Sequence, residues 1–197
     1  MLTTVIGAFP KPEYLNITDW FNAEGGTDTP YPTKLYDNEI SQLGKNAEKI
    51  FENAIKDVIN DQIECGIDIV TDGEVRRENY IHYHCRHLSG IDFNRLTKKV
   101  ARTGNYECYL PTIIQKIKTK KTFLTSEWLK SQNLSNKPVK ITIPGPLTIS
   151  DTIANDYYAS NKDMAHDLAE AINQEIKKLS FAGCKYIQVD EPLFARK

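Results

Sequence analysis

Apolar residues recur along this chain with two different periods, and the change of period marks out its elements. Four short runs are almost continuously apolar or β-branched: TTVIGAF (residues 3–9), IDIVTDG (67–73), VKITIPG (139–145) and KYIQVDE (185–191). Runs of that length and composition predict buried strands. Between some of them the spacing lengthens to three and four residues. Ile40, Leu43, Ala47, Ile50, Phe51, Ala54, Ile55, Val58 and Ile59 fall on one face, which predicts a helix from Tyr36 to Cys65. Met164, Leu168, Ile172, Ile176 and Leu179 predict another, with Asn161 as its N-cap. Gly66 and Gly183 stop these helices, and a strand follows each directly. The order helix, glycine, strand, acid therefore occurs twice, as IECGIDIVTDGE and SFAGCKYIQVDEP. Such repetition is expected of αβ units wound around a parallel sheet.

The segment from Gly90 to Lys121 departs from this pattern. KKVARTGNYECYLPTIIQKIKT alternates about a TGN turn signal and predicts a β-hairpin inserted after the second strand. SEWLKSQNL (126–134) predicts a helix with Ser126 near its N-cap.

Composition narrows the function classes. A chain of 197 residues fits one ordinary domain with a real core. The net charge of −1, with both signs interspersed, leaves no basic stripe for nucleic acid. The lysine-rich KIKTKKTF (116–123) is short and fits a solvated ribbon or loop. No apolar run approaches the roughly 20 residues of a membrane span. The N-terminal MLTTVIGAFPKP lacks the charge, apolar stretch and cleavage site of a signal peptide. Cys65, Cys85, Cys108 and Cys184 are far apart with no C-x-x-C pair, as expected of reduced cysteines in a cytoplasmic protein.

Ligand sites in parallel sheets lie beyond the carboxyl ends of the strands. The residues expected there are Ile6 to Pro10, Thr71-Asp72-Gly73-Glu74, Pro144-Gly145-Pro146 and Val189-Asp190-Glu191-Pro192. Glu74 and Asp190 on one rim suit a ligand ammonium group or a general base. Asp72 and Glu191 are equally suited to capping helices. ENYIHYHCRH (78–87) gathers His82, His84, His87 and Cys85. On a helix His84 meets His87 and His82 meets Cys85, but the two pairs point apart, so one helix does not make a four-ligand zinc site.

At these residues the sequence resembles the cobalamin-independent methionine synthase family. IGAFPKP, DIVTDGEVRRENY, LSGIDF, IPGPLTI and IQVDEPLF fall in the order and spacing of its catalytic barrel. The resemblance implies an α/β fold, a partial (β/α)8 TIM barrel with about four of eight parallel strands and an insertion over approximately 90–121. It implies methyl transfer to the thiol of homocysteine. The backbone around Ile6, Gly7 and Ala8 would hold the amino acid's carboxylate, and Glu74 and Asp190 its amine. On the donor side it points to Glu107, Cys108, Thr152, Tyr80 and His84, with Arg77 and Asn79 nearby.

Departures from the family pattern bear on the donor. Ala8 replaces a usual serine, Thr152 a tryptophan that stacks on the pterin, and Glu107-Cys108 an arginine–cysteine pair that touches folate. The methyl donor is therefore expected to be methyltetrahydrofolate or a methylcorrinoid, the latter delivered by a corrinoid protein.

Eight strands typically need about 250 residues. The chain is accordingly expected to be the N-terminal half of a barrel domain, spanning 1–197. Zinc is expected for the complete enzyme, with its ligands beyond Lys197, so this chain alone is expected to be inactive. Open strand edges predict self-association or a complementary barrel half as partner. The alternatives are a coenzyme M type thiol alkyltransferase and a non-catalytic assembly module. Coenzyme M has no ammonium group, so the paired acids favour an amino-acid thiol.

Overall fold

The computed structural model describes residues 1–19, 31–101 and 106–195. It shows a mixed α/β fold with two small sheets. The parallel sheet has the order β1 (Val70–Thr71), β4 (Val139–Pro144), β6 (Ile187–Asp190). The second sheet joins β2 (Leu88–Ala101), β3 (Tyr106–Thr119) and β5 (Ala154–Asn155).

Each strand of the parallel sheet is entered from a helix: α2 (Ala47–Glu64) before β1, α4 (Leu124–Asn133) before β4, and α6 (Asn161–Phe181) before β6. The amphipathic spacing explains why. Phe51, Ala54, Ile55, Val58 and Ile59 of α2 are buried, as are Met164, Leu168, Ile172 and Leu179 of α6. They share one core with Val70, Val139, Ile141 and Ile143 of the sheet. Gly66 and Gly183 end α2 and α6 with φ of 80° and 95°, a region glycine enters without steric cost.

Four expectations need correction. The run 3–9 forms no strand; it contributes only an isolated parallel bridge, Thr4 to Ile69. Beyond it the carbonyls of Val5, Ile6 and Gly7 accept from the side chains of Lys140, Gln188 and Thr71. Side-chain donors thus stand where a backbone ladder was expected. The single helix expected from Tyr36 is two, α1 (Tyr31–Leu43) and α2, separated by a 3-10 turn at Gly44–Asn46 where Gly44 has φ 60°. Helix α4 begins after Phe123 with no side-chain cap of its own. Glu175 of α6 instead accepts from the N–H groups of Phe123 and Leu124 at 3.1 and 3.3 Å. At α6 the N-cap is Ser160, one residue before Asn161.

The inserted hairpin is present, with β2 and β3 antiparallel and Thr97 opposite Leu110. Its expected TGN turn lies outside the described residues. Helix α3 (Tyr80–Arg86) links the parallel sheet to this hairpin, capped by Asn79 Oδ1 on the N–H groups of Ile81 and His82. Helix α5 (Pro146–Thr152) follows β4.

Candidate functional site

The turn after β1 carries the first carboxylate. Gly73 and Glu74 have φ of 67° and 54°, and Glu74 is the one non-glycine with positive φ among the described residues. That conformation costs on the order of 1 kcal/mol for a residue with a side chain. Local bonds hold it: Asp72 Oδ1 accepts from the Glu74 N–H at 3.0 Å, and the Glu74 carbonyl from the Arg77 N–H at 2.9 Å. Gly73 is required by space as well, since a Cβ there would lie 2.5 Å from Val58 Cγ1.

The turn delivers the Glu74 carboxyl onto the sheet. Its Oε1 accepts from Thr142 Oγ1 at 2.5 Å and lies 3.4 Å from Arg77 Nη1. Arg77, itself buried, donates to Thr142 Oγ1 at 3.0 Å and to the Thr142 carbonyl at 3.1 Å. Burial pushes the Glu74 pKa up; Arg77 and the Thr142 hydroxyl pull it down, while the charges of Asp72 and Asp190 raise it further.

Asp190, the second carboxylate, ends β6 opposite Pro144 of β4. It accepts from Gln188 Nε2 at 2.6 Å. Burial raises its pKa, against Gln188, Arg77 and Lys140. Glu74 and Asp190 therefore sit within one electrostatic neighbourhood, each partly desolvated. A cation placed between two such groups would relieve their repulsion and favour the ionised form of both.

The segment Ile6–Ala8 lies beside this pair. A Cβ on Gly7 would fall 2.7 Å from Glu74 Oε1 and 3.0 Å from Thr142 Cγ2, so a side chain there would press on the Glu74 carboxyl. Ile6 is exposed and Ala8 half-buried. The structure brings Gly7, Glu74 and Asp190 to one rim.

The other acids there cap and brace. Asp72 closes the turn onto Glu74. Glu191 accepts from the N–H groups of Leu147 and Thr148 at 2.8 and 2.9 Å and from Thr148 Oγ1 at 2.6 Å, closing the start of α5.

The residues expected on the donor side lie in α3, β3 and α5. Thr152 Oγ1 is turned back onto the Thr148 carbonyl at 2.6 Å. Tyr80 opens α3 and is half-buried. His84 is 2% exposed and packs on Phe123, so in this conformation it presents no surface to a ligand. Glu107 and Cys108 lie in β3 opposite Val100 and Lys99; their side chains lie outside the described set. His82 is also buried, its Nδ1 2.6 Å from Thr33 Oγ1, and His87 stacks on Phe123. Burial lowers all three imidazoles, His82 and His87 to about 4 and His84 to about 3.

Among the described residues no three His, Cys, Asp or Glu side chains converge to hold a metal ion. Nor, among those residues, is any helix long and apolar enough to cross a membrane.

Sequence reasoning missed Lys140, Thr142 and Gln188. The signal was present as a period-two alternation: Lys140 and Thr142 interrupt β4, and Gln188 and Asp190 interrupt β6.

Comparison with known proteins gives a consistent picture. Residues 1–197 match the family described as cobalamin-independent synthase, catalytic domain. The chain is 36% identical over 191 residues to a methionine synthase of Sulfurisphaera tokodaii, covering 96% of this chain and 51% of that protein. It is 35% identical over 197 residues to a methionine synthase of Saccharolobus solfataricus, covering 99% and 54%. The chain thus spans about half the length of the curated relatives it matches. Its structure is similar to that of a B12-independent methionine synthase from Shewanella in complex with selenomethionine. The TM-score is 0.77 at 29% identity, covering 98% of this chain and 52% of that one. A putative vitamin-B12-independent methionine synthase from Listeria monocytogenes shares the fold at a TM-score of 0.63 and 20% identity, covering 98% and 54%.

Proposed function

The chain belongs to the cobalamin-independent synthase family, catalytic domain, and from that premise we propose that it supplies the amino-acid wall of a methyltransferase acting on the thiol of homocysteine to give methionine. In this reading residues 1–197 correspond to the N-terminal half of a (β/α)8 barrel domain, and the rim at Glu74 and Asp190 is its acceptor site. The observation that carries the proposal is the pairing itself. Two carboxyls come from separate strand ends, the charge of Asp190 raising the Glu74 pKa, and the backbone at Gly7 passes close to the Glu74 carboxyl. In this reading the α-ammonium group binds between them, and the backbone of Ile6, Gly7 and Ala8 meets the α-carboxylate. The Shewanella relative, solved with selenomethionine, supports an amino acid as ligand.

Glu74 and Asp190 orient the acceptor through its amine and leave the sulfur free to face the donor. Neither touches the reacting sulfur, so they act through binding geometry. Zinc would hold and acidify the thiol in a complete site of this kind; this chain's residues are assigned no part in holding it. A family described as cobalamin-independent lends no support to the corrinoid donor or the corrinoid protein partner, which leaves methyltetrahydrofolate as the donor of this reading.

Binding of L-methionine, measured by calorimetry beside its des-amino analogue, tests the proposal. E74Q and D190N should each weaken L-methionine by about tenfold or more, the worth of one charged hydrogen bond, and leave the analogue unchanged. Equal affinity of the unmutated protein for both ligands would refute an ammonium site.

A further inference from the structure

The inward face of the parallel sheet carries a second line of polar contacts behind the acceptor rim. Lys140 and Thr142 alternate with Val139, Ile141 and Ile143 along β4, and Gln188 and Asp190 alternate with Ile187 and Val189 along β6. Thr142 is in register with Gln188, and Pro144 with Asp190, so these polar residues share one face. Gln188 is the junction. Its Oε1 accepts from Lys140 Nζ at 2.6 Å; its Nε2 donates to Asp190 Oδ1 at 2.6 Å and to the Ile6 carbonyl at 2.8 Å.

These partners fix the amide without ambiguity. An ammonium group only donates, and a carboxylate and a carbonyl only accept, so the opposite flip would break all three contacts at once. Lys140 is anchored in turn on the Val5 carbonyl. One side chain therefore sets the direction of the Asp190 carboxylate and the position of the backbone before Gly7.

We infer that Gln188 is the positioning residue of the amino-acid site: locked by Lys140, its amide aims Asp190 at the ligand amine and ties down the Ile6 carbonyl beside the ligand carboxylate. This rests on the reading of Glu74 and Asp190 as the grip on the amine. It goes further in assigning the geometry of both ends of the ligand to a residue that touches neither. The arrangement mirrors the one at Glu74, where buried Arg77 fixes Thr142 and Thr142 donates to the carboxylate. In each case a cation holds a neutral group, and the neutral group holds the acid. Each acid is thereby braced while a lone pair remains for an incoming ammonium. The charged groups around Asp190 are Lys140 and Arg77, which favour its ionised form, and Glu74, whose pKa the charge of Asp190 raises.

The test has a ligand-free arm and a ligand arm, both on the whole protein. In the first, a carboxyl-carbon NMR titration follows Asp190, assigned by its loss in D190N. Q188L should raise the Asp190 midpoint by about one to two pH units, since a hydrogen bond to a charged group is lost and burial remains. K140M, which leaves Gln188 unanchored, should raise it less, and K140R should restore it. In the second arm, Q188L should weaken L-methionine about tenfold more than it weakens the des-amino analogue, which keeps only the carboxylate end. A merely structural role would weaken both ligands alike, and that result overturns the inference, as does an unmoved Asp190 midpoint. If Q188L loses its cooperative melt, K140M against K140R carries the same comparison. If the unmutated protein does not prefer L-methionine to the analogue, the ammonium reading fails, while the titration still decides whether Gln188 governs Asp190.

Discussion

Replacing Gly145 by alanine separates backbone freedom from side-chain space at the rim. Gly145 has φ −77° and ψ 160°, which any residue adopts and which the following Pro146 favours. Conformation alone therefore predicts that alanine stabilises, by about 0.4–1 kcal/mol through the unfolded chain. Space predicts the reverse. A Cβ at Gly145 would lie 2.2 Å from the Glu191 carboxyl, which must then move. That carboxyl holds the N–H groups of Leu147 and Thr148 and the Thr148 hydroxyl, so displacing it uncaps α5. Loss of such a cap costs about 1–2 kcal/mol, and Glu191 is half-buried, so water replaces part of what is lost. The net expectation for G145A is destabilisation by about 1 kcal/mol. In an E191A background the obstacle is gone, and the same substitution should stabilise by about 0.4–1 kcal/mol. The double-mutant cycle thus predicts a change of sign, with a coupling of about 1–2 kcal/mol. Urea unfolding of the four proteins, read from midpoints at constant slope, measures it. Equal effects of G145A in both backgrounds would show that Glu191 does not occupy the space above Gly145.

Two further predictions concern stability against pH, and they run in opposite directions. Burial, with the charges of Arg77 and His87, lowers His84 to about 3 from its ordinary 6.5. The unfolded chain then takes up a proton that the folded chain refuses, so stability is present above about pH 6.5 and lost below it, by up to about 1.4 kcal/mol per pH unit. H84M, which also removes an Nε2 buried without a hydrogen-bond partner among the described residues, should flatten this acid slope in denaturant melts; an unchanged slope refutes the assignment. For Glu175 burial raises the pKa to about 7 from 4.5, against the N–H groups of Phe123 and Leu124. Its folded form keeps a proton that the unfolded form releases, so the contribution is full below about pH 4.5 and lost as pH rises through about 7. Relative to E175Q, the unmutated protein should therefore lose stability over that window, and a constant difference between the two would contradict it.

Much of the fold was legible because it depends on local spacing. The faces of α2 and α6 follow from apolar residues three and four apart, and their ends from Gly66 and Gly183. The hairpin follows from alternation, and the rim acids from their places after strand-like runs. The run at 3–9 looked like a strand equally well, yet pairs only at Thr4. Side chains from residues 64 to 182 positions away take the carbonyls that follow, and no local pattern announces that. The burial of ENYIHYHCRH was illegible for a related reason. As a sequence it is polar, but α3 lies between the parallel sheet and the hairpin, and Ile81 to Cys85 are all buried.

The sequence by itself therefore determined the helix faces, the hairpin, the family and the places of the two rim carboxylates, because each rests on local period or on a motif in order. What only the tertiary structure decided is how those acids are held. The left-handed turn at Glu74, the close approach of Gly7 and the Lys140–Gln188–Asp190 line arise from contacts between segments distant in the chain. Their strength depends on burial, which no linear pattern specifies.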